Sequence, residues 1–328
     1  MTAGVSAQHD RRLLFVLAVA CCGAFVVSLL IGPSGFGLPH GDTRLLILRE
    51  IRLPRAIMGA LVGAALGLAG AALQGYLRNP LAEPGLIGVS GGAALGAVLA
   101  IHLGLAAALP LGLPVAGLVG ASIAALAVVS LAGERSSPVT IILAGVAVSS
   151  LTAALISLTL NLSRNPFAAA EAIFWMMGSL TDRSLVHVYL AAPLILLGIA
   201  CLLRVGTALD ALTLGEDAAR TLGFDLDRLR LLVIAGVALS VGAATAVTGM
   251  IGFVGLIVPH VLRPYVAQSP SRLLRASLLG GALMVLLADC LLRLISPVID
   301  LRIGVLTALL GAPFFVWLVI QLRSEYAP

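Results

Sequence analysis

AIMGALVGAALGLAGAALQGYL, residues 56–77, carries no charge along its whole length and is closed by Arg55 at one end and Arg78 at the other. At about 1.5 Å per residue it is long enough to cross the roughly 30 Å hydrocarbon core of a bilayer as a helix. Gly59, Gly63, Gly67 and Gly70 recur among alanines every three or four residues. Such spacing lets helix backbones approach closely within a membrane. Similar apolar runs occupy residues 13–31, 86–105, 114–132, 139–160, 186–203, 231–247, 251–267, 274–295 and 304–322. The expectation is an all-α, polytopic membrane protein of ten transmembrane helices, forming one domain over residues 1–328.

Composition agrees. Of 328 residues, 60% are hydrophobic and 11% charged, where a soluble domain carries about 25% charge. So few polar groups cannot cover a water-exposed surface, which excludes a soluble enzyme and a disordered chain alike. All 20 basic residues are arginine, and the net charge is +5. The arginines are scattered between apolar runs, where they orient helices, so the expected partner is membrane lipid and not nucleic acid. Cys21, Cys22, Cys201 and Cys290 lie in or beside apolar runs with no CxxC spacing, and read as small core residues. No convincing cleavage site follows residues 13–31, so this run is expected to be a retained helix and not a signal peptide.

Ten crossings put both termini on one face. Arg11, Arg12, Arg78, Arg135, Arg204, Arg220, Arg228, Arg230, Arg272, Arg275 and Arg323 then share that face, which the short-loop rule makes cytoplasmic. The outer arginines concentrate at residues 44–55.

Residues 204–230 form the longest polar stretch. Thr213 can cap a helix there, with Glu216 three residues on to close a capping box. Asp217 adds negative charge to the first turn, and Gly223 is placed to end the helix. Asp225 can cap a further short turn, reaching toward Arg228. Two short helices outside the bilayer are expected at about 207–228, against the plainer possibility of a solvated connector. Glycines at 249, 252 and 255 permit a tight re-entry before Pro259. His260 could be a metal ligand or proton carrier, but with no Cys, Asp or Glu nearby it reads first as structural. Asp289 inside an apolar run is costly unless paired. Arg293, one turn on, is its natural local partner; alternatively Arg293 faces outward to a partner protein. GVSGGAALG at 88–96 lacks the lysine of a phosphate loop, and no nucleotide motif occurs elsewhere.

Arg52-Leu-Pro-Arg55, Asn79-Pro-Leu-Ala-Glu-Pro-Gly-Leu-Ile-Gly-Val-Ser90, Gly215-Glu-Asp-Ala-Ala219, Gly252-Phe-Val-Gly-Leu-Ile-Val-Pro-His260 and Ile303-Gly-Val-Leu-Thr-Ala-Leu-Leu-Gly-Ala-Pro313 resemble, in order, the signature blocks of FecCD-type permeases. These are transmembrane subunits of bacterial ATP-binding-cassette importers for iron–siderophore complexes, haem and vitamin B12. The resemblance implies a type II importer permease fold in the bacterial inner membrane, with both termini cytoplasmic. It implies a second permease subunit, identical in many members, two cytoplasmic ATPase subunits and a periplasmic binding protein. By the same resemblance, Thr213, Gly215, Glu216, Asp217, Ala218 and Gly223 belong to cytoplasmic coupling helices that dock on the ATPase. Arg52, Arg55 and Arg293 match periplasmic arginines that receive acidic residues of the binding protein, which accounts for the outer basic cluster. Phe174, Trp175 and Met176 match a helix beside the translocation path. Arg302 departs from the family pattern, which commonly has proline there, and adds an outer contact or caps a loop. No cofactor or metal is expected on this chain, ATP and magnesium belong to the partner ATPase, and the chain is not an enzyme. The cargo, an iron chelate, haem or cobalamin, would move from periplasm to cytoplasm by alternating access. Two other classes compete. An ion-coupled secondary transporter needs a buried relay, for which only Asp289, His102 and His260 are candidates. A purely structural membrane subunit would have no use for the capped helix near 213.

Overall fold

The computed structural model describes residues 2–32, 35–37, 41, 43–133, 137–267, 269–295 and 301–325. Arg135 lies outside the described residues, as does the side chain of Arg323. The long helices are α1 (Thr2–Leu30), α2 (Leu53–Tyr76), α4 (Gly112–Ala132), α5 (Pro138–Asn161), α7 (Leu185–Arg204), α10 (Leu226–Thr248), α12 (Pro270–Ile295) and α13 (Ile303–Glu325). The shorter ones that matter here are α3 (Val89–His102), α6 (Pro166–Met176), α8 (Gly206–Leu212), α9 (Glu216–Thr221) and α11 (Val254–Leu262), besides single turns at Arg44–Ile47 and Leu105–Ala108. The extended backbone described is a two-residue antiparallel pair, Ile31–Gly32 against Gly35–Phe36.

Eight helices among the described residues are long and apolar enough to cross a membrane. The all-helical permease class stands. Ten is an approximate count: eight of the expected runs form helices long enough to cross, and runs 86–105 and 251–267 form the short apolar α3 and α11. Fourteen residues in α3 reach only about 21 Å, short of a bilayer core. The cause is local. Residues 77–88 hold Pro80 and Pro84, a 3₁₀ turn at Pro84–Ile87 and Gly88 at φ 78°; residues 249–253 hold Gly249 at φ 74° and Phe253 at φ 66°. Proline withholds a backbone donor and left-handed residues end helices, so both chains enter the protein interior unwound. The Gly85 carbonyl accepts from Ser149 Oγ at 3.4 Å, eleven residues into α5. Gly85 therefore sits about 16 Å below that helix's start, near mid-depth. Unwound backbone at membrane depth is tolerated only where protein or a cavity covers it.

α2 is the centre of the molecule and packs on α12, α11, α10, α7 and α1. Its crossing with α12 is backbone on backbone: a Cβ on Gly63 would strike the Gly281 carbonyl, one on Gly281 the Gly63 carbonyl, and one on Gly67 the Ser277 carbonyl. α3 packs on α4, α5, α6 and α10 as a second cluster. α1, α4 and α13 keep wide apolar faces exposed, including Phe15, Ile123, Leu309 and Trp317, as expected where lipid or another subunit is the solvent.

Candidate functional site

Three regions depart from plain helix packing, one at each end of the bundle and one between them.

The first end gathers α8, α9 and the starts of α10 and α12. α8 is anchored. Leu209 and Leu212 are buried, and Asp210 Oδ1 accepts from Ser271 N at 2.9 Å and Ser269 Oγ at 3.2 Å, fixing α8 to the head of α12. The expected capping box at Thr213 does not form. Thr213 closes α8, its Oγ1 donating to the Asp210 carbonyl at 2.7 Å, and Gly215 at φ 112° is the N-cap of α9. The shift has a backbone cause: the turn needs a positive φ that glycine adopts freely, while a threonine hydroxyl is satisfied within its own helix. Glu216 and Asp217 do occupy the first turn of α9, where negative charge suits the helix dipole. Gly223 ends α9 as expected. Its N–H donates to Arg220 O at 2.9 Å and that of Phe224 to Ala219 O at 3.1 Å, the paired bonds of a Schellman end. Asp225 caps the long α10 and not a further short turn, accepting from Asp227 N at 2.9 Å and Arg228 N at 3.1 Å. Ala218 is half-buried. Leu214 and Leu222, at the two ends of α9, are 70% and 60% exposed. Sequence reasoning missed them, although leucines in a polar stretch beyond a membrane span were a visible signal. Beside them a cavity of about 610 Å³ opens between Tyr76, Ser137, Glu216, Phe224, Asp227 and Arg230.

The opposite end carries the arginine cluster. Arg55 donates to Asp289 from Nε at 3.0 Å and from Nη2 at 2.7 Å. Arg293 Nη2 lies 2.7 Å from the other carboxylate oxygen and 2.6 Å from Ser28 Oγ, while Nη1 donates to the carbonyls of Ser28 and Ile31. Arg52, 5% exposed, donates to the carbonyls of Leu29 and Gly37, both at 2.8 Å. The local Asp289–Arg293 pair thus forms, and Arg55, 234 residues away in sequence, joins it. Two guanidiniums, Arg55 and Arg293, share the Asp289 carboxylate, while Arg52 is held by backbone carbonyls alone among the contacts described, so these three arginines and Asp289 together carry an excess of two positive charges. Nearby, the Arg302 guanidinium stands 6.0 Å from the centre of the Phe174 ring, and burial lowers the pKa of Arg183, with Asp182 opposing the shift and Arg302 adding to it. The more exposed arginines here are Arg44 and Arg49.

Between the ends, the two unwound segments meet. Glu83 Oε1 accepts the Phe253 N–H at 2.6 Å, giving α11 a cap that its own left-handed N-cap residue cannot supply. Gln74 Nε2 donates to Gly255 O at 3.3 Å and accepts on Oε1 from Arg263 Nη2 at 2.6 Å. Sequence reasoning quoted Glu83 within a motif and gave it no role; a carboxyl in an apolar stretch was the signal. Close by, Met176, Met177, Met250, Gly304, Ala308 and Pro313 line an apolar groove of about 510 Å³. Phe174 is exposed, and Trp175 is half-buried with its Nε1 lacking a partner among the described residues.

Broken helices that meet at mid-depth are a feature of transporter folds, and comparison with known proteins decides the family. Residues 13–321 match the model of the FecCD transport family. This chain belongs to the FecCD family. Among its FecCD relatives, the cobalamin import permease BtuC of Halobacterium salinarum is 40% identical over 288 residues, 88% of this chain and 76% of that one. The vitamin B12 import permease BtuC of Escherichia coli strain HS is 37% identical over 323 residues, 96% and 97% of the two chains. The Fe(3+) dicitrate transport permease FecD of Escherichia coli is 39% identical over 283 residues, 86% and 88%. A solved inward-facing conformation of a metal-chelate type ABC transporter superposes with a TM-score of 0.86 at 34% identity, over 95% of this chain and 99% of that one. The protein is a multi-pass membrane permease of the ATP-binding-cassette importer class and not an enzyme; ATP hydrolysis in such importers belongs to a separate ATPase subunit. The three relay candidates of the ion-coupled alternative do not come together among the described residues: Asp289 is bracketed by two arginines, His102 is exposed at the end of α3, and His260 stands edge-on to Phe314 and Trp317.

Proposed function

We propose that this permease imports a metal chelate, cobalamin or a ferric complex, by alternating access driven by ATP. The whole chain acts as one unit beside a second copy, with the apolar groove at Met176 and the exposed faces of α6 and α13 turned toward the shared path. Two ATPase subunits, carrying ATP and magnesium, dock at α8 and α9 on the cytoplasmic side, where both termini lie. A binding protein docks at the arginine end in the periplasm. The observation that carries this reading is the pair Leu214 and Leu222. Two leucines held in water at the two ends of a short helix are costly to leave uncovered, each losing about 1.5–3 kcal/mol of burial, and a short helix joined to the anchored α8 can transmit a push. α8 connects it to α12 through Asp210, and α12 to the core through α2. The cargo assignment is supported by the relatives, whose named cargoes are cobalamin and ferric dicitrate.

Ala218→Trp is expected to reach the membrane, because α9 lies outside the core, yet to lose co-purification of the ATPase or to uncouple hydrolysis from uptake in reconstituted vesicles. Normal assembly together with normal uptake would make this segment a mere connector. At the other end, Arg52→Gln removes one charge while an amide can still donate to the Leu29 or Gly37 carbonyl. Docking of the binding protein should weaken by roughly two- to fivefold at low salt, and the difference should fade as salt rises. A salt-independent affinity, equal in both proteins, rejects the docking role.

A further inference from the structure

At the α8–α9 end, a separate cavity of about 230 Å³ opens between residues 10–14 of α1 and the head of α12. Its walls are Asp10 and Arg11 of α1 and Arg272 and Arg275 of α12; its floor is Leu13, Leu14 and Val266. Arg272 Nη1 is 2.6 Å from Asp10 Oδ2, so Asp10 neutralises one guanidinium. Arg11 and Arg275 are exposed and leave two positive charges facing the cavity. Just beyond, α1 turns Phe15, Val16 and Val19 outward, forming an apolar ridge that runs from the cavity along the membrane-spanning part of the helix. Positive charge at the mouth, an apolar floor and an acyl-chain-sized ridge below it are the chemistry of a lipid and not of a soluble anion.

We propose that this cavity binds the headgroup of an anionic phospholipid, with Arg11 and Arg275 on its phosphate oxygens and its acyl chains along the α1 ridge. A diphosphate lipid such as cardiolipin suits the two excess charges best. Basic pockets between helices at the cytoplasmic surface favour such headgroups; only the choice of leaflet rests on the orientation proposed above. Bound there, the lipid bridges α1 to α12, the helix that also holds α8 through Ser271 and carries Asp289 at its far end.

The test uses the full chain in detergent, with native mass spectrometry reading bound lipid after addition of cardiolipin or phosphatidylethanolamine, and with inorganic phosphate as competitor. Cardiolipin should bind in preference. The double variant Arg11→Gln, Arg275→Gln should lose about tenfold or more in affinity and Arg11→Gln alone about threefold or more, while Arg12→Gln, which removes one charge from the same turn outside the cavity, should stay within about twofold of the parent. All three positions are exposed, so folding is not at stake. Equal losses in Arg11→Gln and Arg12→Gln, which each remove one charge, reduce the effect to general charge and overturn the site. So do indifference between the two lipids and displacement of cardiolipin by millimolar inorganic phosphate.

Discussion

Asp289→Ala is expected to lose about 3–5 kcal/mol of stability. Asp289 is 2% exposed and lies between Arg55 and Arg293, each 2.7 Å away. Removing it leaves two guanidiniums, themselves 18% and 10% exposed, facing each other without a counter-charge. Desolvation and repulsion then act together. The thermal midpoint of the detergent-solubilised protein should drop sharply, with less protein in the membrane fraction. Removing Arg55 as well should recover part of the loss, because one uncompensated charge goes with it; groups in one network are not additive. A single variant that melts within about 1 kcal/mol of the parent would mean that water or lipid headgroups, and not Asp289, stabilise these arginines.

Gly281→Leu should be comparably damaging for a steric reason. A Cβ there meets the Gly63 carbonyl across the α2–α12 crossing, and Gly63 and Gly67 meet α12 in the same way. Backbone cannot swing aside like a flexible side chain. Overpacking commonly costs about 1–3 kcal/mol and more where nothing yields, and this crossing joins the most buried helix to the one carrying Asp289. The expected outcome is aggregation or a strongly reduced melting temperature. Gly23→Leu is the control: nothing lies within 4 Å of a Cβ at Gly23, so it should be almost neutral. Similar losses at Gly23 and Gly281 would show that leucine is disfavoured for reasons unrelated to the crossing.

Much of this was legible along the chain. A membrane span is a property of about 20 consecutive residues, so apolar runs reveal it without knowledge of neighbours. Glycines in residues 56–77 announced close packing of α2 before its partner was known. Gly223 and Asp225 were recognisable as a helix stop and a helix start, because capping is local chemistry. The capping box at Thr213 failed at the same scale. Two neighbouring positions, Thr213 and Gly215, both suit a helix start, and the path of the chain from α8 required the positive φ that only Gly215 adopts without strain.

Tertiary structure decided the rest. Which helix faces Asp289 depends on how α2 and α12 cross, which the residue pattern of neither helix specifies, so Arg55 could not be chosen as a partner in advance. The break before α11 was signalled by its glycines, and Gly249 does take a positive φ there; the shortness of α3 was hidden, because an unwound apolar segment has the same hydropathy as a wound one. What makes the breaks tolerable is Glu83 reaching the Phe253 N–H across 170 residues, together with Gln74 bridging Arg263 and Gly255. Sequence alone determined that the chain crosses a membrane many times, where its polar segment lies and which motifs it carries. Only the fold determined which buried charges neutralise one another and where the helices break, because a hydrogen bond in a low-dielectric interior depends on a few ångströms of separation that no run of residue types records.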